Sequence, residues 1–227
     1  MSDRVTVRQA RLEDLDDILR VEASAWPEGI RASGEQFIER LETYPEGFLI
    51  ADLYGRPSGV LTSQRIDHRL GDEPAGWEET TAGGRIRATH LQSGNSLYVV
   101  SVGVAAESQG MGVGSRLIRA AQQHAVAHRL QYVLLDSRLP GYGACRRDRG
   151  LTAEEYVFAL DDRGWPLDPE LRFYRRHGFQ ILSPSQIIRS CMARDHESAK
   201  HGVRMVWPTT LYYDDPRPTA RRPPPPE

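Results

Sequence analysis

The chain has little that would tie it to a membrane, a metal or a polyanion. Among its 227 residues there are two cysteines, Cys145 and Cys191, far apart and without the CxxC spacing of a zinc or redox motif. They read as free thiols of a reducing cytoplasm. No apolar run reaches ~18 residues, so no membrane-spanning helix is expected. Met1-Ser2-Asp3-Arg4 passes straight into a strand-like Val5-Thr6-Val7, with no secretory apolar segment. An excess of one charge is also missing. With 29 basic and 31 acidic residues the net charge is -2, which argues against nucleic acid or a membrane surface as partner. These absences leave a cytoplasmic protein without a metal site. Its 39% hydrophobic content and mean hydropathy of -0.53 suit one soluble domain.

Hydrophobic periodicity orders the elements. Val5 to Arg8 reads as a strand, and Leu12, Leu15, Ile18, Leu19 and Glu22 as a helix. Ala25-Trp26-Pro27-Glu28-Gly29 breaks it, and Ser33 caps a second helix bearing Phe37, Ile38 and Leu41. Phe48 to Tyr54 and Ser58 to Ile66 form a hairpin. Leu97 to Val104 is the central strand, Gly112 to His128 a helix and Tyr132 to Asp136 the next strand. Asp168 and Pro169 open a further helix that ends at Gly178. Phe179 to Leu182 reads as a strand after it, and Val203 to Trp207 as the strand that closes the sheet. Asp67 to Gly94, polar and glycine-rich, reads as an insertion loop and Ser137 to Leu167 as a second insertion in a single domain over 1–210, the second with a short helix at Thr152 to Phe158. A proline-rich tail over 211–227 reads as disordered. The fold class is mixed α/β.

The most informative stretch joins the central strand to its helix: Gln109-Gly110-Met111-Gly112-Val113-Gly114-Ser115. Glycines at a helix N-terminus let a phosphate approach unpaired amides at the positive end of the helix dipole. Ser115-Arg116 excludes a P-loop, which ends Gly-Lys-Ser/Thr, and the glycine spacing does not fit a dinucleotide fingerprint. The pattern Gln-x-x-Gly-x-Gly, at Gln109, Gly112 and Gly114, resembles the acyl-coenzyme A loop of the GNAT N-acetyltransferase superfamily. Phe173-Tyr174-Arg175-Arg176-His177-Gly178-Phe179 resembles its second signature, Phe-Tyr-x-x-x-Gly-Phe. An ordinary strand-to-helix turn and a core tyrosine would explain either segment alone. Their joint presence in this order points to the family.

The resemblance implies a mostly antiparallel sheet flanked by helices and splayed between its fourth and fifth strands to admit pantetheine. It implies acetyl-CoA as co-substrate. Gln109, Gly110, Met111, Gly112, Val113, Gly114 and Ser115 would hold the pyrophosphate. Val102, Gly103 and Val104 would lie beside the pantetheine, with an amide near Val102 facing the thioester oxygen. Tyr174 would protonate the leaving thiolate: a phenol of pKa near ~10 suits a thiolate of about 8.5 to 10. Where relatives carry an Asn ahead of the tyrosine, this chain has Leu167 and Asp168.

The general base is not fixed by motif. The central strand holds no carboxylate, so Asp136, at the end of the next strand, and Glu28, in the break after Trp26, are the candidates; a structural cap explains Asp136 as well. Glu107 and His68 read as solvated loop residues. Arg138 and Tyr142 are candidate contacts for an acidic or extended acceptor, against a plain surface turn set by Pro140 and Gly141. The two insertions flank the expected acceptor cleft. The expectation is direct transfer of a short acyl group to the primary amine of a small molecule, in a ternary complex. A protein amine is the second choice of acceptor, and a homodimer is the assembly considered. A non-catalytic acyl-CoA-binding module, and acyl transfer involving a carrier protein or decarboxylation of malonyl-CoA, are the alternatives.

Overall fold

The computed structural model describes residues 4–209. Among them seven strands form one sheet in the order β1-β2-β3-β4-β5-β7-β6. They are β1 (Val5–Gln9), β2 (Phe48–Leu53), β3 (Arg56–Ile66), β4 (Ser96–Val104), β5 (Tyr132–Arg138), β6 (Ile187–Ile188) and β7 (Gly202–Pro208). The helices are α1 (Leu15–Ala25), α2 (Gly34–Thr43), α3 (Trp77–Thr80), α4 (Val113–Ala127), α5 (Tyr142–Arg149), α6 (Ala153–Phe158) and α7 (Pro169–Arg176). The β4–β5 pair is parallel and every other neighbouring pair antiparallel. A parallel neighbour needs a crossover, and α4 supplies it. The expected mixed, mostly antiparallel α/β architecture is the one observed.

Periodicity decides which face each helix buries. On α4, Val113, Leu117, Ile118, Ala121 and Ala125 recur at helical spacing and are buried with Leu61, Leu97 and Val133 of the sheet. On α1 and α2, Ile18, Val21 and Phe37 are buried in a second cluster with Phe48, Ile50 and Val60. Ser33 caps α2 as anticipated: its hydroxyl accepts from the Gln36 amide, and Gln36 Oε1 accepts from the Ser33 amide at 2.7 Å.

The feature that positions the site is a parting of strands. β4 and β5 pair only where Ser96 to Val99 face Tyr132 to Leu135. Beyond that, β4 stays with β3 out to Val104 and β5 stays with β7 out to Arg138. The expected splay between the fourth and fifth strands is therefore present. A bulge marks where it begins. Thr62 faces Ser101 while Ser63 faces Val99, so Val100 is the extra residue and β4 bends there. The Val100 carbonyl accepts the Trp77 indole N–H at 2.8 Å.

Three expectations about elements are corrected. Phe179 to Leu182 is not a strand: it touches the sheet at one bridge, Gln180 with Val206, and Phe179 turns into the core. The outer edge of β7 is shared instead with the two-residue β6. The stretch 142–149 forms α5, a helix whose polar Arg-Arg-Asp-Arg end gave no apolar period to read. Finally, 67–94 is no free loop. Thr81 and Ile86 within it are fully buried, and α3 is anchored to the sheet by Trp77. The proline-rich tail falls outside the described residues.

Candidate active site

The splay holds two adjoining cavities. One, of about 540 Å³, is lined by Val102, Gly103, Val104 and the loop from Ser108 to Ser115, together with Pro169 and Phe173; Met111 of that loop does not line it and packs against the core instead. The other, of about 310 Å³, lies toward α2 and α3, between Glu22, Gln36, Arg40, Trp77, Ser101 and Met192. Five residues line both: Trp26, Val102, Arg138, Glu170 and Tyr174.

In the larger cavity, Gly112 is the N-cap of α4 at φ +89°, a backbone region that costs a side-chain-bearing residue about 1–2 kcal/mol. No side chain caps this helix and no acid lies in its first turn, so its N-terminal amides and dipole face the cavity. Gly114 answers a different need. A Cβ there would stand 3.3 Å from the Phe173 ring, so α7 can press against the loop. The Phe-Tyr pair thus divides its work: Phe173 packs on Gly114 and Tyr174 looks into the junction. The Gln109 side chain donates to the Val104 carbonyl at 3.3 Å and braces the loop. Gly112→Trp, with an indole over the loop, is expected to abolish coenzyme A binding. Calorimetry beside a thermal melt checks this, since unchanged affinity in a folded variant would contradict the loop's role.

Asp168 holds α7 across the splay. Its carboxylate accepts from the amides of Glu170 (2.9 Å), Leu171 (3.2 Å) and Gly141 (3.3 Å) and from the Tyr156 hydroxyl (3.0 Å). It is a fully buried cap that also ties down the second insertion. Glu170 and Tyr174 lie four apart on α7 and share a face. Burial, with the Glu170 charge, pushes the Tyr174 phenol well above its usual range. Burial also raises Glu170, to about 7, against the pull of Arg138, whose guanidinium stands 3.6 Å away. Trp26 lies against Gly103 under Arg138, whose guanidinium is 5.4 Å from the indole centre. The Trp26 Nε1 is buried with no partner among the described residues.

The base candidates do not keep the places expected of them. The Asp136 side chain is fully buried and paired with Arg204 through both carboxylate oxygens. The Tyr98 hydroxyl donates to it at 2.7 Å. Asp136 borders the smaller cavity, but these three hydrogen bonds hold its carboxylate as a structural anion. Glu28 opens a short 3₁₀ turn (Glu28–Ile30), is exposed, and stays outside the cavity that Gly29 and Ile30 line. Arg138 is no free acceptor contact: it is bidentate to Asp195 at 2.6 and 2.7 Å and reaches Glu197 at 2.9 Å. Tyr142 faces the core, its ring centre 5.4 Å from that of Tyr156 and tilted against it. His68 is buried against Tyr132, not solvated. Glu107 is exposed on the loop, within 3.4 Å of the Ser24 hydroxyl.

Residues 12–147 match the profile of the acetyltransferase (GNAT) family. The chain belongs to that family. A relative from Bacillus subtilis (strain 168), the uncharacterized N-acetyltransferase YkwB, is 27% identical over 92% of this chain and 91% of its own length. The probable hydrolase YhcX of the same organism is also 27% identical, but the match covers only 39% of it. Among solved structures, the GphF GNAT-like decarboxylase in complex with isobutyryl-CoA superposes at a TM-score of 0.77. It is 27% identical, over 90% of this chain and 99% of that one. The loading GNATL domain of CurA from Lyngbya majuscula, 24% identical over 91% of this chain and 98% of its own, shares the fold at a TM-score of 0.78. Glu170, Glu22, Arg40 and Trp26 are the site residues that sequence reasoning missed.

Proposed function

We propose that this GNAT protein transfers a short acyl group, acetyl first, from coenzyme A to the primary amine of a small molecule bound in the smaller cavity. The observation that carries the reading is the junction: the two cavities meet where Tyr174 and Glu170 of α7 stand opposite Trp26 and Val102, with Arg138 beside them. The glycine loop would take the pyrophosphate, and the free edge of β4 from Val102 to Val104 the pantetheine. The amide near Val102 and the unpartnered Trp26 indole N–H are the donors available to the thioester oxygen.

In this reading Glu170 replaces Asp136 and Glu28 as general base. It takes one proton from the amine as nitrogen attacks the thioester carbon. The C–S bond breaks, and Tyr174 gives its proton to the departing thiolate. Glu170, one turn away, can then restore the phenol, which returns the site to its starting protonation. The high pKa of Tyr174 keeps the phenol loaded at neutral pH and makes it a weaker acid than an exposed tyrosine. The small volume of this cavity, about 310 Å³ with Trp77, Glu78 and Gly83 along one wall, favours a small acceptor over a protein amine.

A base must be deprotonated to work. With Glu170 raised to about 7, kcat/KM is expected to fall about tenfold per pH unit below that value and to level off above it. A pH–rate profile of wild type and Glu170→Gln checks this; an inflection that persists in the variant belongs to another group. A second reading, loss of carbon dioxide from a carboxyacyl-CoA, is favoured by the likeness to the GphF decarboxylase. It predicts acetyl-CoA from malonyl-CoA with no amine present, which mass spectrometry distinguishes from acylation.

A further inference from the structure

A buried guanidinium without a carboxylate partner stands in the smaller cavity. Arg40, on α2, is 2% exposed. Its hydrogen bonds all end on neutral oxygens: the Gly84 carbonyl at 2.6 Å, Thr62 Oγ1 at 3.2 Å and Ser101 Oγ at 3.3 Å. Its Nη2 has no hydrogen-bond partner among the described residues. The other two buried arginines of this region are each held by a carboxylate, Arg138 by Asp195 and Arg204 by Asp136. Arg40 differs from both. Its guanidinium rests over the Phe37 ring at 5.1 Å and lines the cavity.

Removing a charge from water without a counterion is unfavourable, and a hydrophobic side chain of similar volume would fill the same space. Stability therefore gives no reason for the charge. The field of Glu22 is the one opposing influence on Arg40, but a Glu22 oxygen accepts the Ala32 amide at 2.7 Å and burial pushes that carboxyl toward its neutral form. Burial lowers Arg40 itself to about 10, so it stays charged at neutral pH. A permanent cation facing a cavity, with a hydrogen-bonding edge left over, is built to receive an anion.

We propose that the smaller cavity binds a carboxylate-bearing substrate, with Arg40 as its counterion and Ser101 and Gln36 as flanking polar contacts. This rests on reading that cavity as the side of the junction where the reacting group enters. The carboxylate belongs either to the amine acceptor, as in an amino acid, or to the acyl group of the donor, as in a malonyl thioester. Both present the same planar anion to the guanidinium.

The test has two arms, each run on wild type, Arg40→Met and Ser101→Asp. In the first, calorimetry compares malonyl-CoA with acetyl-CoA. In the second, turnover with acetyl-CoA compares a panel of amino acids with the matching amines that lack the carboxylate. Wild type is expected to favour the carboxylate-bearing ligand about ten- to a hundredfold in one arm. That arm identifies which substrate carries the anion. Arg40→Met should erase the preference while acetyl-CoA affinity holds. Ser101→Asp places a carboxylate beside the guanidinium, satisfies it from within and should erase the preference too, which covers the case in which Arg40→Met does not fold. Acetyl-CoA binding with no preference in either arm, or a preference that survives in a folded variant, overturns this proposal alone. Wild-type protein that does not bind acetyl-CoA overturns the functional reading with it.

Discussion

Tyr174→Phe is expected to lower kcat by about 10²- to 10⁴-fold while acetyl-CoA affinity stays nearly constant. The substitution keeps the ring, and with it the contacts to Phe173 at 5.2 Å and Phe179 at 5.8 Å. It removes only the proton that the departing thiolate needs. An interaction used mainly in the transition state appears in kcat and not in ground-state binding. If Tyr174 were merely a packing residue, Phe would be close to neutral. Steady-state kinetics beside a thermal melt separate the cases: a well-folded Phe variant with wild-type turnover would remove Tyr174 from the mechanism.

The second large effect is on stability. Asp136→Ala leaves Arg204 buried without its counterion and Tyr98 without its acceptor; the side chains of Asp136 and Arg204 are 0% and 5% exposed. Breaking a buried pair from one side typically costs about 3–5 kcal/mol. For a domain of this size that is a drop in Tm of roughly 6–20 °C. Replacing both partners together, Asp136→Leu with Arg204→Met, should recover much of the loss, because no charge is then stranded. Urea unfolding of the two single variants and the double measures the coupling. A loss under about 1 kcal/mol for Asp136→Ala would mean the carboxylate is not the structural anion described here, and would return it to the list of bases.

These two residues also show how far the sequence could be read. Tyr174 was legible because its helix announces itself locally: Asp168 caps it, Pro169 opens it and Gly178 follows it. The glycine loop was legible for the same reason, since an apolar strand, a Gly-x-Gly run and an amphipathic helix are contiguous. Asp136 was not, because its pairing with Arg204 joins positions 68 residues apart across β5 and β7, and no local pattern records a cross-strand register. Glu170 escaped notice because an acid in the first turn of a helix is ordinary support for the helix dipole. Only the crossing of α7 over the splay brings it to both cavities. Arg40 and Glu22 sit where an amphipathic helix would be expected to bury apolar side chains, and a charged residue there signals nothing until the cavity is seen. The 179–182 segment failed differently. Its composition is strand-like, but the β7 edge beside it offers one hydrogen-bonded bridge and no longer ladder.

The most direct test of the central claim is release of coenzyme A thiol from acetyl-CoA by the purified protein, followed with and without a panel of small primary amines and with the products weighed by mass spectrometry. Transfer across the junction predicts thiol release that requires an amine and matches, mole for mole, an amine product heavier by one acetyl group. Thiol release at the same rate without any amine, or acetyl-CoA bound and never turned over across the panel, would contradict it.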